Sequence, residues 1–343
     1  MATKGKLLLV GGSNGNAHLQ NYFRLIEDRF DEVLVVSNRE VDYTRSIQLK
    51  FGLRNPFECY QSIRKMKKII RDFQPDIIHV HQANAYGLIT ALANEQRIPL
   101  ILTTWGSDVL TLPNRSWIDR KMVKYCLNKA NRITADAQFM AEAIHSLIGD
   151  KPVLIANFGV DFDGNEVVVE REKVIYSNRM HEPLYQIDQL IKQCSDFLHQ
   201  HPDWKLRIAA SGSGTERLKS LAAEVLPADS YAFIGFQNKQ ENQRNYLAAK
   251  MYVSIPTTDG TSISLLEAMA YGCIPIVSDL PANREWIEQG KNGIISAGDL
   301  SKDLNQALTF DVQQLRDCNH QIIQERATKK ANRDKFIQLY DQL

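Results

Sequence analysis

Residues 255–278 read Ile255-Pro-Thr-Thr-Asp-Gly-Thr-Ser-Ile-Ser-Leu-Leu-Glu-Ala-Met-Ala-Tyr-Gly-Cys-Ile-Pro-Ile-Val-Ser278, and this stretch decides the fold. It predicts a strand that ends at Ile255 and a polar loop that opens a helix near Ser264. The helix is expected to end at Gly272, and a second strand follows over Ile274–Val277. Strand, loop, helix and strand in this order form one unit of a parallel sheet. The stretch therefore predicts an α/β fold.

The same alternation of apolar runs and helical segments continues over nearly the whole chain. It pauses once, at the turn-rich stretch Asn157–Asn165. We therefore predict two Rossmann-like, doubly wound domains, residues 1–160 and 170–320, facing each other across a cleft. Apolar positions at helical spacing predict a C-terminal helix over 321–343, which we expect to pack back on the first domain. The other predicted strands are Lys6–Val10, Glu32–Val36, Ile77–Val80, Leu100–Thr103, Arg132–Ala135, Val153–Ile155, Val174–Tyr176, Leu206–Ala210, Ala232–Ile234 and Met251–Ile255.

The composition is that of an ordinary soluble protein. The chain has 343 residues, of which 44% are hydrophobic and 24% charged. We see no export signal at the start and no apolar run near the roughly 20 residues that cross a bilayer. The five cysteines are odd in number and form no CxxC pair, which argues for reduced thiols in the cytoplasm and against zinc. No other metal site is predicted.

The charge is uneven along the chain. Residues 1–158 hold 21 Lys and Arg against 15 Asp and Glu, a formal charge of +6, and the remainder carries −5. This excess is too small to indicate nucleic acid. The segment Arg64–Arg71 combines five cations with apolar positions at helical spacing. Two interpretations stay open: a solvated amphipathic helix, or a contact with anionic lipid.

The loop before the predicted helix at Ser264 has the residue types of an anion site. Backbone N–H groups of Gly260–Ser264 are expected to point out of the helix start, where a diphosphate binds well. Glu267, about one turn further on, can accept hydrogen bonds from ribose hydroxyls, and Asp259 can bind sugar hydroxyls. The alternative is an N-capped helix whose acids suit its dipole.

Two glycine-rich turns follow predicted strands. One spans Gly11–His18 and contains Gly15 and Asn16, and the other spans Ser211–Glu216 and contains Gly212. Glycine there lets the backbone approach a phosphate, but it also occurs where a turn is merely tight. Neither turn is the GxGxxG fingerprint of a dinucleotide site, which argues against a nicotinamide-dependent oxidoreductase.

Residues 259–277 resemble the signature loop and helix of the retaining family 4 glycosyltransferases of the GT-B fold. In that family an acidic residue, seven other residues and a glutamate precede Ala-Met-Ala-x-Gly and a proline, as Asp259 and Glu267 do here. The first acid is more often Glu in the family. The resemblance extends in family order over Asp76–His81, Thr103–Asp108, Ile155–Asp161, Ile208–Gly214 and Phe233–Phe236.

The resemblance implies a role for each matching position. The first domain would lie on the acceptor side, and Gly15 and Asn16 would close from it on the diphosphate. Arg179 would neutralise the leaving diphosphate, and Glu267 would hold the ribose. The donor would also contact the following residues: Gly212, Phe236 beside the base, Asp259, Gly260, Thr261, Ser262, Ile263 and Ser264.

The sequence departs from the family at two positions. The family lysine about five residues after Arg179 is missing, and His181 is the only cationic candidate nearby. A leaving diphosphate that loses one cation departs more slowly unless something compensates. Where many members have a histidine that contacts the sugar, this chain has Trp105. Either Asp108 takes over that contact or Trp105 stacks on the sugar ring.

The resemblance implies transfer of a hexose-like sugar, with retention of configuration, from a nucleotide-sugar to a hydroxyl acceptor. UDP-sugar is the first expectation and GDP-sugar the second, with no cofactor besides the donor. The acceptor is expected to be a glycan or lipid-linked glycan, as in bacterial polysaccharide and lipopolysaccharide synthesis. The enzyme is expected to be cytoplasmic and to touch the inner membrane face. The alternatives are a GT-B sugar-nucleotide epimerase and a nucleotide-sugar-binding protein without transferase activity.

Overall fold

The computed structural model describes residues 5–12, 18–53, 55–164 and 170–343. The chain divides into two compact units. Unit 1 comprises residues 1–158 and 332–343, and unit 2 comprises residues 159–331. Each unit is built on one parallel sheet with helices on its faces, so the prediction of two Rossmann-like domains is confirmed.

Unit 1 contains a seven-stranded sheet in the order β3-β2-β1-β4-β5-β6-β7. Every neighbouring pair of strands is parallel, and the strand order reverses between β1 and β4. Its elements are β1 (Lys6–Gly11), α1 (His18–Ile26), β2 (Glu32–Ser37), β3 (Ser46–Gln48), α2 (Pro56–Phe73), β4 (Ile77–His81), α3 (Ala85–Ala93), β5 (Leu100–Thr103), α4 (Trp117–Lys129), β6 (Arg132–Ala135), α5 (Gln138–Ile148) and β7 (Val153–Ile155).

The strand β1 is buried on both faces of the sheet, which explains why its apolar run is continuous rather than alternating. Leu8 and Val10 pack in the core cluster that contains residues of α2, α3, α4 and α5. Leu7 and Leu9 point to the other face of the sheet, where they pack with α1 and with Phe336. A strand that is covered on both faces needs apolar side chains at every position.

Unit 2 contains a six-stranded sheet in the order β10-β9-β8-β11-β12-β13, again with parallel neighbours. Here the order reverses between β8 and β11. Its elements are β8 (Glu172–Ser177), α6 (Ile187–Gln200), β9 (Lys205–Ala209), α7 (Thr215–Val225), β10 (Tyr231–Gly235), α8 (Lys239–Ala248), β11 (Ala249–Ser254), α9 (Ile263–Ala270), β12 (Ile274–Ser278), α10 (Pro281–Arg284), β13 (Ile294–Ser296), α11 (Leu300–Ala307) and α12 (Val312–Arg326).

The C-terminal segment differs from the single helix predicted over 321–343. The helix α12 ends at Arg326, and α13 spans Lys329–Asp341. The break arises because Val160 donates its N–H to the Ala327 carbonyl and accepts from the Lys329 N–H, at 2.8 and 3.0 Å. Gly159 permits this close approach, since a Cβ there would lie 2.5 Å from the Lys329 backbone.

The last helix, α13, completes the core of unit 1. Phe336, Leu339 and Tyr340 are buried in the same cluster as Leu7 and Leu9 of β1. The Tyr340 hydroxyl lies 2.7 Å from that of Tyr22. The helix therefore covers the face of the sheet that α1 also covers.

Candidate functional site

The reversal of strand order in unit 2 brings two loops together. Asn178 and Arg179 follow β8, and the loop that enters α9 follows β11. Because β8 and β11 are neighbours, both loops lie at the carboxyl edge of the sheet. Open α/β sheets bind ligands in the crevice at such a reversal. This edge is therefore the candidate site of unit 2.

Arg179 fixes the geometry of this edge. Its Nη2 donates to Asp259 Oδ2 at 2.6 Å. Its Nη1 donates to the Ser262 and Ser264 hydroxyl oxygens at 2.7 and 2.8 Å. The guanidinium also lies 4.5 Å from the centre of the Tyr185 ring, a cation–π distance. Four contacts thus hold a mostly buried cation against the first turn of α9.

The first turn of α9 has the form of an anion site. Gly260 and Thr261 lead into the helix, Ser262 caps it, and Ile263 and Ser264 are its first residues. Amide N–H groups at a helix start have no acceptor within the helix, and the helix dipole makes this end positive. Arg179 adds a full positive charge at the same place. The arrangement could accept a diphosphate, and the predicted contact with one stays a prediction.

The two acids of the site differ from ordinary surface carboxylates. Burial raises the pKa of Asp259, and the Arg179 charge opposes this shift without cancelling it. Burial also raises the pKa of Glu267, opposed by a hydrogen bond from Tyr246. Both carboxylates are therefore poorly solvated and gain from hydroxyl donors such as those of a sugar or a ribose.

A buried polar network beneath the site was not predicted from the sequence. Asn178 donates from Nδ2 to the Tyr246 hydroxyl at 2.7 Å and accepts from the Tyr252 hydroxyl at 3.2 Å. Tyr246 also bonds to Glu267, and Tyr252 bonds to Ser264. The network links Glu267 to the residues around Arg179. Its only sequence signal was the position of Asn178 directly after a strand.

The remaining predicted donor residues of unit 2 lie at other strand ends. Phe236 follows β10 and is largely exposed, so its ring is available to a base. Gly212 precedes α7, but Glu182 accepts the Ser213 N–H there at 2.7 Å. A Cβ on Gly212 would lie 2.7 Å from the Glu182 carboxylate. This turn therefore fits the tight-turn interpretation better than a phosphate contact.

His181 does not replace the missing lysine. Its ring is buried, Nε2 donates to the Ala209 carbonyl at 3.1 Å, and Nδ1 lies 2.9 Å from the Thr215 hydroxyl. Burial lowers the pKa of this imidazole, so it is neutral at pH 7. The prediction of a cationic candidate at His181 is therefore wrong. Tyr185, in the same stretch, instead holds Arg179 in place.

In unit 1, Asp108 is a positioning residue. The residue is 2% exposed, and its carboxylate accepts the backbone N–H of Ala83 at 2.7 Å and of Trp105 at 3.0 Å. A carboxylate enclosed in this way cannot reach a sugar, which corrects the contact that the sequence suggested for Asp108. It instead ties the loop after β5 to the loop after β4.

Trp105 is held from both ends. Besides the backbone contact with Asp108, its indole Nε1 donates to His81 Nδ1 at 3.1 Å. The ring of His18 lies 5.1 Å from the Trp105 ring, centre to centre. The indole thus has a fixed orientation, as a stacking surface requires. Gly15 and Asn16, predicted to bind the diphosphate, lie outside the described residues.

Sequence profiles identify the family. A profile described as "Glycosyl transferase 4-like" matches residues 6–137, and one described as "Glycosyl transferases group 1" matches residues 160–328. The two matches follow one another and together take in most of both units. The chain belongs to the family 4 glycosyltransferases of the GT-B fold.

Individual curated relatives share less than a third of their residues with this chain over the long matches. Phosphatidyl-myo-inositol mannosyltransferase of Mycobacterium tuberculosis is 27% identical over 241 residues, which is 67% of this chain and 61% of that protein. Alpha-monoglucosyldiacylglycerol synthase of Streptococcus pneumoniae is 23% identical over 300 residues, 80% of this chain and 68% of that protein. The first match thus spans less than two thirds of the relative. Anabaena HepE, solved with UDP, shares the fold with a TM-score of 0.82 at 16% identity, covering 98% of this chain and all of that one.

We expect the stability of unit 1 to fall on mild acidification because of His81. Burial, with a smaller effect of the His18 charge, lowers the pKa of the fully buried His81 to about 3. An unfolded histidine titrates near 6.5, so between pH 6.5 and about 3 only the unfolded chain takes up this proton. The loss is about 2 kcal/mol at pH 5 for this one histidine.

Urea unfolding at pH 7, 6 and 5 measures this loss. The matched variant is His81→Asn, whose side-chain oxygen keeps an acceptor for the Trp105 indole. Its free energy of unfolding should depend less steeply on pH by nearly one proton between pH 6 and 5. Equal slopes in the two proteins would show that His81 is not held neutral.

Proposed function

We propose that this protein transfers a sugar from a UDP-sugar to a hydroxyl of a glycan or lipid-linked glycan, with retention of anomeric configuration. The observation that carries the proposal is the Arg179 cluster at the first turn of α9, with Asp259 paired to it and Glu267 one turn further on. UDP is chosen because the structurally similar Anabaena HepE was solved with UDP and with UDP-glucose.

Each part of the donor has a matching group in unit 2. The diphosphate takes the amides of Gly260–Ser264 and the guanidinium of Arg179. Ribose hydroxyls donate to Glu267, and sugar hydroxyls donate to Asp259. Phe236 lies beside the base. The serine hydroxyls that hold Arg179 in the free protein are themselves phosphate donors once the guanidinium turns to the diphosphate.

The proposed chemical step is the one that the resemblance to the retaining family implies. The bond between the anomeric carbon and the diphosphate breaks while the acceptor oxygen bonds to that carbon on the same face. The acceptor proton moves to the departing phosphate oxygen. Negative charge grows on the diphosphate during this step, so Arg179 and the α9 amides bind the transition state more strongly than the donor.

The acceptor is proposed to be lipid-linked, and the enzyme to touch the inner membrane face through α2. In this helix Met66, Ile70 and Phe73 are buried in the core, whereas Arg64 and Lys68 are exposed on the opposite side. Two relatives carry lipid names, phosphatidyl-myo-inositol mannosyltransferase and alpha-monoglucosyldiacylglycerol synthase. Among the described residues no helix is long and apolar enough to cross a membrane.

We expect UDP to bind more tightly than GDP, and Glu267→Ala to weaken UDP binding by about 10- to 150-fold. The second figure corresponds to the loss of charge-assisted hydrogen bonds worth about 1.5–3 kcal/mol. Calorimetry with UDP and GDP measures both, and Glu288→Ala serves as control because its side chain is exposed. Tighter GDP binding would overturn the choice of base. Unchanged UDP affinity in folded Glu267→Ala would make Glu267 a helix residue only.

We expect Arg179→Ala to lower turnover about 100- to 1,000-fold while lowering donor affinity much less, because its contact strengthens in the transition state. Arg179→Lys keeps the charge and separates this effect from a simple loss of folding. Initial rates and donor affinities of both variants test it. Equal losses in rate and affinity would contradict the proposed role. Turnover of the donor without acceptor would favour an epimerase, and binding without turnover would favour a binding protein.

We expect the wild-type protein to co-sediment with vesicles that contain phosphatidylglycerol and not with neutral phosphatidylcholine vesicles. Arg64, Lys65 and Lys68 contribute about 1 kcal/mol each at an anionic surface, and Lys67 and Arg71 contribute less because they pair with Glu95 and Asp72. Salt weakens this attraction. Replacing Arg64, Lys65, Lys67, Lys68 and Arg71 by glutamine should abolish pelleting. Wild-type protein that stays in the supernatant at low salt would overturn the membrane contact and leave the transfer reaction untouched.

A further inference from the structure

Five large hydrophobic side chains are more than 60% exposed among the described residues. Phe236, at 80%, is the one assigned to the base. The other four belong to unit 1 and lie in the first turns of two helices. They are Phe57 and Tyr60 of α2, at 69% and 63%, and Trp117 and Ile118 of α4, at 67% and 61%.

The pair in α4 is not needed to form or pack its helix. The first turn of α4 is capped by Ser116, whose Oγ accepts the Asp119 N–H at 3.1 Å. The helix is anchored in the core by Val123, Cys126 and Leu127. The ammonium of Lys121 lies 4.7 Å from the centre of the Trp117 ring, and no other described aromatic or cationic group stacks on this ring. Exposed aromatic groups without a packing role indicate a contact surface.

The topology of unit 1 puts the two pairs on one side of the molecule. The helices α2, α3 and α4 share one core cluster, so they cover the same face of the sheet, and α3 contacts both of the others. Each helix runs back from the carboxyl edge of the parallel sheet, so their first turns lie at that same edge. With packed helices about 8–10 Å apart, the two aromatic turns are about 20 Å apart.

Cations surround both pairs. Phe57, Tyr60, Arg64, Lys68 and Arg71 follow one another at intervals of three or four residues, which places them on one stripe of α2. Around Trp117 the exposed cations are Arg115, Arg120 and Lys121. The acids within residues 57–71 and 115–121 are Glu58 and Asp119, and the neighbouring Asp72 and Glu95 pair with Arg71 and Lys67. Aromatic rings beside cations suit the headgroup region of an anionic bilayer.

We propose that the first turn of α4 is a second membrane contact, which together with α2 forms a two-point surface for an anionic lipid bilayer. Trp117 and Ile118 enter the boundary between headgroups and acyl chains, and Arg115, Arg120 and Lys121 meet lipid phosphates. This inference rests on the membrane contact proposed for α2. One contact leaves the protein free to rotate about it, whereas two contacts about 20 Å apart restrict its orientation.

The orientation matters for the proposed acceptor. Trp105 and Asp108 belong to the connection between β5 and α4, and this connection ends at Trp117. A bilayer that holds Trp117 therefore lies next to the loop that presents Trp105. A lipid-linked acceptor would reach that loop without leaving the membrane surface.

The test uses the full chain with phosphatidylcholine vesicles, with and without phosphatidylglycerol. Trp204 and Trp286 are buried, and Trp105 is partly buried with its indole bonded to His81, so the exposed Trp117 should dominate any change in tryptophan emission. The emission of the wild type should shift to the blue on anionic vesicles, and that of Trp117→Phe should not. The variant carrying Trp117→Ser and Ile118→Ser should bind these vesicles about tenfold more weakly, since it loses part of the burial of two large side chains.

The matched control carries Leu308→Ser and Val312→Ser, two exposed apolar positions of unit 2, and should bind vesicles like the wild type. A UDP-induced rise in melting temperature verifies that each variant is folded. If the serine variant of α4 binds like the wild type, or Trp117→Phe keeps the blue shift, the second contact is overturned while the α2 contact stands. If the wild type binds no vesicles, both contacts are overturned.

Discussion

The ion pair between Arg179 and Asp259 is the interaction on which the site depends. Both side chains are mostly out of water, with 11% and 22% of their side-chain surface exposed. A buried charge is costly without a partner, so each of these residues makes the other tolerable in its position. The pair joins the loop after β8 to the loop after β11, two segments 80 residues apart in the sequence. Only the parallel pairing of these two strands brings the segments together, and the position of the first turn of α9 follows from it.

The parts of this arrangement that sequence reasoning could predict are those with a local signal. A short stretch of sequence is enough to predict the strands and helices from their apolar periods. It also shows the polar loop after Ile255 and the acids Asp259 and Glu267. The predictions that were wrong depended on contacts with residues far away in the sequence. Asp108 is enclosed by backbone N–H groups of Ala83 and Trp105, and His181 is buried against Ala209 and Thr215. The helix predicted over 321–343 breaks because Val160 takes backbone bonds there. No local sequence pattern indicates such contacts.

The polar groups buried in unit 1 are centred on histidines rather than on an ion pair. His79 lies between hydroxyl groups, with Nδ1 2.6 Å from the Tyr340 hydroxyl and Nε2 2.7 Å from that of Thr103. Burial lowers its pKa well below the usual range, so it serves as a neutral hydrogen-bonding link between α13 and the sheet. His81, two residues on, faces the same side of β4 and supports Trp105. Both histidines therefore act through hydrogen bonds.

At the proposed diphosphate site, a single guanidinium changes how the negative charge of the leaving diphosphate would be stabilised. Where the family has two cations, the described residues of this chain bring one arginine to the first turn of α9 and leave His181 neutral. In the proposed reaction, the rest of the diphosphate charge would be stabilised by groups with partial charges, namely the amides and serine hydroxyls of that turn. Such groups are effective only if they are aimed before the reaction starts. The contacts of Arg179 with Ser262, Ser264 and the Tyr185 ring, and the network through Asn178 and Tyr252, hold the turn in that position. In the proposed reaction, these contacts would compensate for the missing cation by fixing the donors of the turn in advance.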